Sequence, residues 1–164
     1  FLELKKKYKG VVYKRRVDMQ LEECREYLFA GERPHCDGQI LHEIDWFQHL
    51  WHTTPKVFLA YDRIAMYCEE DSELRITFDQ NIRWRDHLLS LSFGDEGYSL
   101  LPEEHQNDVL MEIKIPAAMP LWLSALLDEA GIFPTSFSKY GYCYQHYIFP
   151  QWEKNLVFGG KIYA

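Results

Sequence analysis

The sequence has no apolar run approaching the ~18 residues that a membrane-spanning helix requires. It opens at Phe1 without the basic-then-apolar order of a signal peptide. Its four cysteines, Cys24, Cys36, Cys68 and Cys143, include no CxxC pair. A chain of 164 residues does not need disulfide staples, so a reducing, cytoplasmic setting is the expectation. The seven histidines are scattered; only His49 and His52 lie close together. At i and i+3 on a surface helix they read as a solvated pair, not a zinc site. No internal repeat or low-complexity segment occurs. Positive charge is scarce as well. Lys and Arg number 18 against 25 Asp and Glu, a net charge of −7, which argues against a general nucleic-acid binder.

What is present suits one domain spanning residues 1–164. The chain is 47% hydrophobic and 16% aromatic, enough to bury a core. Its scarce positive charge is unevenly placed. Lys5, Lys6, Lys7, Lys9, Lys14, Arg15 and Arg16 all fall in the first sixteen residues, leaving the remainder strongly acidic. A local basic surface on an acidic protein suits a small or linear anion held at one site. The first strand begins at the first residue with no lead-in, and the chain is expected to be a truncated or processed piece.

Period-two and helical patterns divide the chain into elements. Residues 2–9 and 11–17 read as strands joined by a tight turn at Lys9-Gly10. Asp18 is placed to cap a helix over about 19–30, with Gly31 as its stop. Residues 32–39 read as loop, and 40–52 as a second helix with Ile40, Leu41, Ile44, Phe47, Leu50 and Trp51 at helical spacing. Strands are predicted over Val57–Cys68 and 73–79, with a short extended piece near 82–85. Residues 94–107 read as loop and Val109–Ile115 as the clearest strand. Pro120 opens a helix over about 120–130, ended by Gly131, and Ser136 is placed to cap a last helix reaching about residue 148. The expected class is α+β with a mainly antiparallel sheet.

Alternation along the strands sorts the charges. Glu3, Lys5 and Lys7 share one face, and so do Lys14 and Arg16. Arg75, Thr77 and Asp79 lie opposite Leu74, Ile76 and Phe78. Glu112 and Lys114 lie opposite Val109, Met111, Ile113 and Ile115. A solvated face mixes signs evenly. These faces instead carry Lys5, Lys7, Lys14, Arg16, Arg75 and Lys114 against Glu3, Asp79 and Glu112, within an acidic protein. Brought together, such cations would repel unless a polyanion lay among them. A phosphate chain supplies many oxygens for charge-assisted bonds from Arg and Lys. A carboxylate beside those oxygens calls for a bridging divalent cation.

The segments ELKKKYKGVVYKRRV, YDRIAMY, LRITFDQNIRWR, VLMEIKIPAAMPLWLSALL and FSKY occur in that order. Together they resemble the VTC domain, the catalytic module of polyphosphate polymerases in the triphosphate tunnel metalloenzyme superfamily. The resemblance covers nearly the whole chain and implies an antiparallel β-tunnel with helices packed outside it. It also implies ATP and inorganic polyphosphate as ligands. Glu3 and Lys5 match the family's E-x-K strand, Lys14 and Arg16 its K-x-R strand, and Arg75 the start of its R-[IV]-[ST]-x-D strand. Arg83 or Arg85 matches a later tunnel arginine, with the spacing leaving the choice open. Glu112 matches the glutamate that binds Mn²⁺ or Mg²⁺, in the strand that also holds Lys114. Ser138 and Lys139 match the phosphate contact S-K-[FY]. The family's domain begins with earlier strands carrying a phosphate-binding Lys and an R-x-R pair, so this chain corresponds to its C-terminal portion and is expected to turn over ATP poorly or not at all without them.

The implied reaction passes the terminal phosphate of ATP to a growing polyphosphate chain. Lys5, Lys14, Arg16, Arg75 and Lys139 would take the catalytic charge-neutralising roles, and Arg83 or Arg85, Lys114 and Ser138 would bind phosphate. The alternatives are a metal-dependent triphosphatase on the same residues and a non-catalytic polyphosphate or inositol-phosphate sensor. A nucleic-acid binder would be expected to place aromatic side chains among its basic ones; the strand faces named above hold almost none.

Overall fold

The computed structural model describes the chain except Gly10, Cys36, residues 70–72, Pro116, Ala117 and residues 159–164; for residues 154–158 it describes the backbone alone. The chain divides into two compact units, Phe1–Thr54 and Pro55–Ala164.

The first unit is built on an antiparallel hairpin of β1 (Leu2–Tyr8) and β2 (Val11–Val17). Its register runs from Leu2 opposite Val17 to Tyr8 opposite Val11. That leaves a two-residue connection in which Lys9 is left-handed at φ 48°. The other residue of the expected turn, Gly10, lies outside the described residues, as does Cys36. Helix α1 (Leu21–Arg25) runs into a π-helical turn, Glu26–Ala30, and Gly31 ends it at φ 75°. Asp18 does not cap it. Gln20 holds the N-cap position in extended conformation, so Asp18 sits two residues too early. Helix α2 (Gln39–Trp51) ends at a left-handed His52. Leu4, Leu41 and Ile44 are the buried apolar side chains among the described residues of this unit, while Leu50 and Trp51 are exposed.

In the second unit β4 (Arg75–Arg85) is the central strand. Strand β3 (Phe58–Tyr67) pairs along one of its edges. The other edge carries β6 (Leu110–Lys114) at one end and the short β5 (Tyr98–Ser99) at the other, all antiparallel. The expected strand at 73–79 and the extended piece near 82–85 are thus one element. A β-bulge interrupts it. Asp62 faces Gln80 and Ala60 faces Arg83, so Asn81 and Ile82 together oppose Tyr61. Asn81 takes the left-handed conformation at φ 50°, which asparagine tolerates better than most residues.

Helix α3 (Leu121–Glu129) follows Pro120 at its N-cap, and Gly131 lies just beyond its end at φ 66°. Helix α4 (Lys139–Cys143) continues through a π-helical turn, Tyr144–Ile148, into α5 (Phe149–Phe158). Ser138, not the expected Ser136, caps α4; its hydroxyl accepts the Gly141 N–H at 3.2 Å. Ile82, Trp84, Leu100 and Cys143 form the core, with Leu59, Phe137, Tyr142 and Tyr147 packed around them. Trp84 stacks on Tyr147 at 4.6 Å, and the Tyr147 hydroxyl donates to the Leu100 carbonyl at 2.9 Å. Burial pushes the Cys143 thiol up to about 11, so it stays protonated at neutral pH.

The class is α+β with antiparallel sheets. Among the described residues the strand pairings make a two-stranded and a four-stranded sheet and do not close a barrel. One close approach is demanding. A Cβ on Gly97 would lie 2.7 Å from the Trp84 carbonyl oxygen. Gly97→Ala should therefore displace β4 backbone and cost about 1–3 kcal/mol, read as a shift in the denaturation midpoint. An unchanged midpoint would show that the loop gives way freely.

Candidate functional site

Cross-strand partners share a face, so the register of the second unit assembles one directly. Arg75, Thr77 and Asp79 of β4 face Tyr67, Ala65 and Arg63 of β3, and Lys114, Glu112 and Leu110 of β6. The other face carries Ile64, Met66, Ile76, Phe78, Met111 and Ile113. Strand alternation thus puts Arg63, Arg75 and Lys114 on one face, Lys114 opposite Arg75 and Arg63 four residues further along opposite Asp79, and α4 adds Lys139, whose Nζ lies 2.6 Å from Asp79 Oδ2.

Asp79 is fully buried. Arg63 grips it with two hydrogen bonds, Nε to Oδ1 at 2.5 Å and Nη2 to Oδ2 at 2.7 Å. Burial opposes its ionisation, but the bonds from Arg63 and Lys139 outweigh that and hold its carboxyl below the usual range. The same bonds raise the Arg63 guanidinium against the effect of burial. Both cations also lie against the Tyr61 ring, Arg63 at 4.8 Å and Lys139 at 4.5 Å from its centroid.

A depressed folded-state pKa stabilises the fold above the unfolded value of ~3.9, and the contribution disappears as pH falls through the folded value. Asp79→Ala leaves two cations without their partner. It should cost about 3 kcal/mol, the low end for a broken buried pair because Arg63 is about a third exposed. Urea titrations at pH 7 and below pH 3 check this. The loss should be large at pH 7 and shrink in acid; a loss independent of pH would remove the ion cluster from the account.

Further along the same face, Arg75 Nε and Thr77 Oγ1 are buried without a hydrogen-bond partner among the described residues. Each such group costs free energy unless a ligand or water satisfies it. Glu112 sits opposite Thr77, and Lys114 opposite Arg75. Among the described residues no cluster of three or more His, Cys, Asp or Glu side chains is arranged to hold a metal ion. Asp79 has both oxygens occupied by cations, which leaves Glu112 as the available carboxylate on this face. The pair His49 and His52 is split between α2 and its left-handed C-cap, with ring centroids 6.2 Å apart.

Arg83 and Arg85 do not join this face. Arg83 pairs with Ala60 and Arg85 with Phe58, on the side of β3 opposite Tyr61, Arg63 and Tyr67. The bulge at Asn81-Ile82 causes the change, because one extra residue reverses the alternation beyond it. Arg83 is bound to Asp62 at 3.2 Å and Asp95 at 2.9 Å, in an open cleft also lined by Asn81, Glu96 and Gly97. Arg85 is buried and donates to the carbonyls of Leu88, Ser90 and Glu96, with its guanidinium 3.6 Å from the Phe58 ring centroid. It organises a loop.

The hairpin of the first unit separates its cations in the same way. Glu43 of α2 takes Arg15 at 3.3 Å and Lys6 at 3.8 Å, which sets the Leu4–Lys6 face toward that helix. On the other face Lys5 lies directly opposite Lys14. Neither has an ion-pair partner among the described residues, and like charges in that position repel. Arg16 is engaged by Glu3 at 2.6 Å and lies 4.6 Å from the Phe1 ring centroid. Ser138, expected as a phosphate contact, uses its hydroxyl as the α4 cap.

Arg63 was not singled out in the sequence reading, and neither were Tyr61 and Tyr67. The signal was available: in YDRIAMY, Tyr61, Arg63 and Tyr67 fall on one period-two face. That face carries two tyrosines among its basic groups, more than expected. The tyrosine rings meet Arg63, Lys139 and Arg75.

A family model described as the VTC domain matches residues 1–148. No curated protein and no solved structure matches the chain.

Proposed function

The chain belongs to the VTC domain family, whose functions are polyphosphate-related, and from that premise we propose that it transfers the terminal phosphate of ATP to the end of an inorganic polyphosphate chain. In this reading basic strand faces such as these line a β-tunnel that holds triphosphate and product. One observation carries most weight. Along a single sheet face lie Arg63, Arg75 and Lys114, joined by Lys139 from α4 at the Arg63 end, with two buried polar atoms awaiting partners between these groups. Phosphate oxygens would satisfy Arg75 Nε and accept from the free donors of Arg63 and Lys139. The Lys5–Lys14 pair has the same property, since an anion would relieve its repulsion.

Phosphoryl transfer asks the protein chiefly for alignment and charge neutralisation. An oxygen at the end of the polyphosphate chain attacks the γ-phosphorus of ATP. The bond from γ-phosphorus to the β,γ-bridging oxygen breaks, and ADP leaves with that oxygen. Arg63 and Lys139, held together on Asp79, would neutralise charge on the group in transfer, and Arg75 would hold phosphate oxygens further along the face. Mg²⁺ and Mn²⁺ suit one carboxylate completed by phosphate oxygens and water, and Glu112 beside the orphaned Thr77 hydroxyl offers such a donor. Bound there, the ion would add positive charge to the phosphates. The reading is tested by incubating the protein with ATP and Mn²⁺ and resolving the products. Chains longer than triphosphate together with ADP support it, whereas release of orthophosphate alone would replace transfer by hydrolysis.

The hairpin gives a test with opposite signs. Lys5→Ala or Lys14→Ala should weaken tripolyphosphate binding by about 1.5–3 kcal/mol, the scale of a charged hydrogen bond. Each should leave the fold as stable or slightly more so, because a like-charge pair is gone. Lys6→Ala should leave binding unchanged, since Lys6 pairs with Glu43 on the other face. Calorimetric titration and thermal melts read the two effects. Equal losses of binding at Lys5 and Lys6 would reduce the basic run to a solvated surface.

A further inference from the structure

Asp79 is a carboxylate with no exposed surface, at the end of the candidate face that borders the bulge. Its geometry leaves little room for the two obvious roles. A metal ligand needs a free lone pair facing the ion. Here Oδ1 accepts Arg63 Nε, and Oδ2 accepts both Arg63 Nη2 and Lys139 Nζ, all within 2.7 Å. A purely stabilising role is also a poor account, because a buried ion cluster gains little over apolar residues of similar volume.

The exposures are graded. The Asp79 side chain is 0% exposed, Lys139 16% and Arg63 36%. The carboxylate therefore lies beneath, and the cations lie between it and solvent. Arg63 spends Nε and Nη2 on Asp79 and keeps its Nη1 donors uncommitted among the described residues. Lys139 keeps two ammonium hydrogens. Asp79 also joins two elements, because Arg63 comes from β3 and Lys139 from α4. Without its charge, two cations flanking the Tyr61 ring would repel and separate.

We infer that Asp79 is a positioning residue, a buried carboxylate that sets Arg63 and Lys139 side by side as a receptor for phosphate oxygens and touches no phosphate itself. This rests on the polyphosphate reading above. A guanidinium fixed in a bidentate grip loses little freedom when a second anion approaches its other edge. Phosphate then meets donors already in place.

The test is calorimetric titration of the 164-residue chain with inorganic tripolyphosphate in the absence of divalent metal. Asp79→Asn keeps the shape and removes the charge, and it should weaken binding about tenfold or more. Asp79→Glu should recover part of the loss. In an Arg63→Ala/Lys139→Ala background, Asp79→Asn should change affinity by less than about twofold, because a residue acting through others has no effect once they are gone. An undiminished loss in that background would make Asp79 a general structural residue and overturn the inference. If Asp79→Asn does not fold, the wild-type protein answers by NMR. On adding tripolyphosphate the Arg63 Nη and Lys139 Nζ resonances should shift while the Asp79 carboxyl carbon and the Arg63 Nε–H stay unchanged. Release of Asp79 from Arg63 on binding would make it a competitor of phosphate and would refute the positioning role. The two readings fail separately. Wild-type protein that does not bind tripolyphosphate removes the polyphosphate reading and this inference with it; tight binding undiminished in Asp79→Asn removes the inference alone.

Discussion

Glu112→Gln should abolish Mn²⁺-dependent polyphosphate formation, a fall of about a thousandfold or more, the scale of losing the charge stabilisation a bound cation supplies. The substitution keeps the side-chain shape and removes one negative charge. Glu112 is exposed on β6 and has no ion-pair partner among the described residues, so the fold should change by less than about 0.5 kcal/mol. Tripolyphosphate binding in the presence of a chelator should be unchanged or tighter, because a like charge near the phosphate oxygens has gone. This combination of lost turnover, kept stability and kept metal-free affinity separates a metal-holding carboxylate from a surface Glu. A Glu112→Gln protein with wild-type Mn²⁺-dependent activity would take Glu112 out of the mechanism.

Trp84→Ala should destabilise the second unit by about 3–5 kcal/mol, the range for removing a large buried aromatic side chain. Trp84 is 5% exposed, stacks on Tyr147 and belongs to the core with Ile82, Leu100 and Cys143. It joins the central strand to the turn that follows α4, so its loss should also loosen the helix that presents Lys139. Its indole Nε1 has no hydrogen-bond partner among the described residues. Trp84→Phe, which drops that unpaired N–H and keeps an aromatic ring, should therefore cost clearly less than Trp84→Ala. Urea unfolding followed by circular dichroism measures both. Similar losses for the two variants would show that a phenyl ring recovers none of the indole's packing at this position.

Much of this molecule was legible in the sequence, because strand faces are set locally. A period of two decides that Lys5 and Lys14 stand apart from Lys6 and Arg15, and that Arg75 shares a face with Thr77 and Asp79, whatever the rest of the chain does. The hairpin, β3, the first half of β4 and the helices at α2 and α3 followed from the same kind of local pattern. The ordered segments also identified the family that the match over residues 1–148 shows.

Tertiary structure decided which charges are free. No local rule announces that one extra residue at Asn81-Ile82 turns Arg83 and Arg85 to the opposite face, where carboxylates and loop carbonyls occupy them. Nor does spacing reveal that Glu43 neutralises Lys6 and Arg15 while Lys5 and Lys14 have no ion-pair partner among the described residues. Asp79 looked like one more acid on a charged face. Its role depends on Arg63, sixteen residues away, and on Lys139, far along the chain in another element. The physical reason is one of range. Side-chain direction follows from the dihedral period of a few neighbouring residues, whereas an ion pair depends on register, and register is set by contacts between residues distant in sequence.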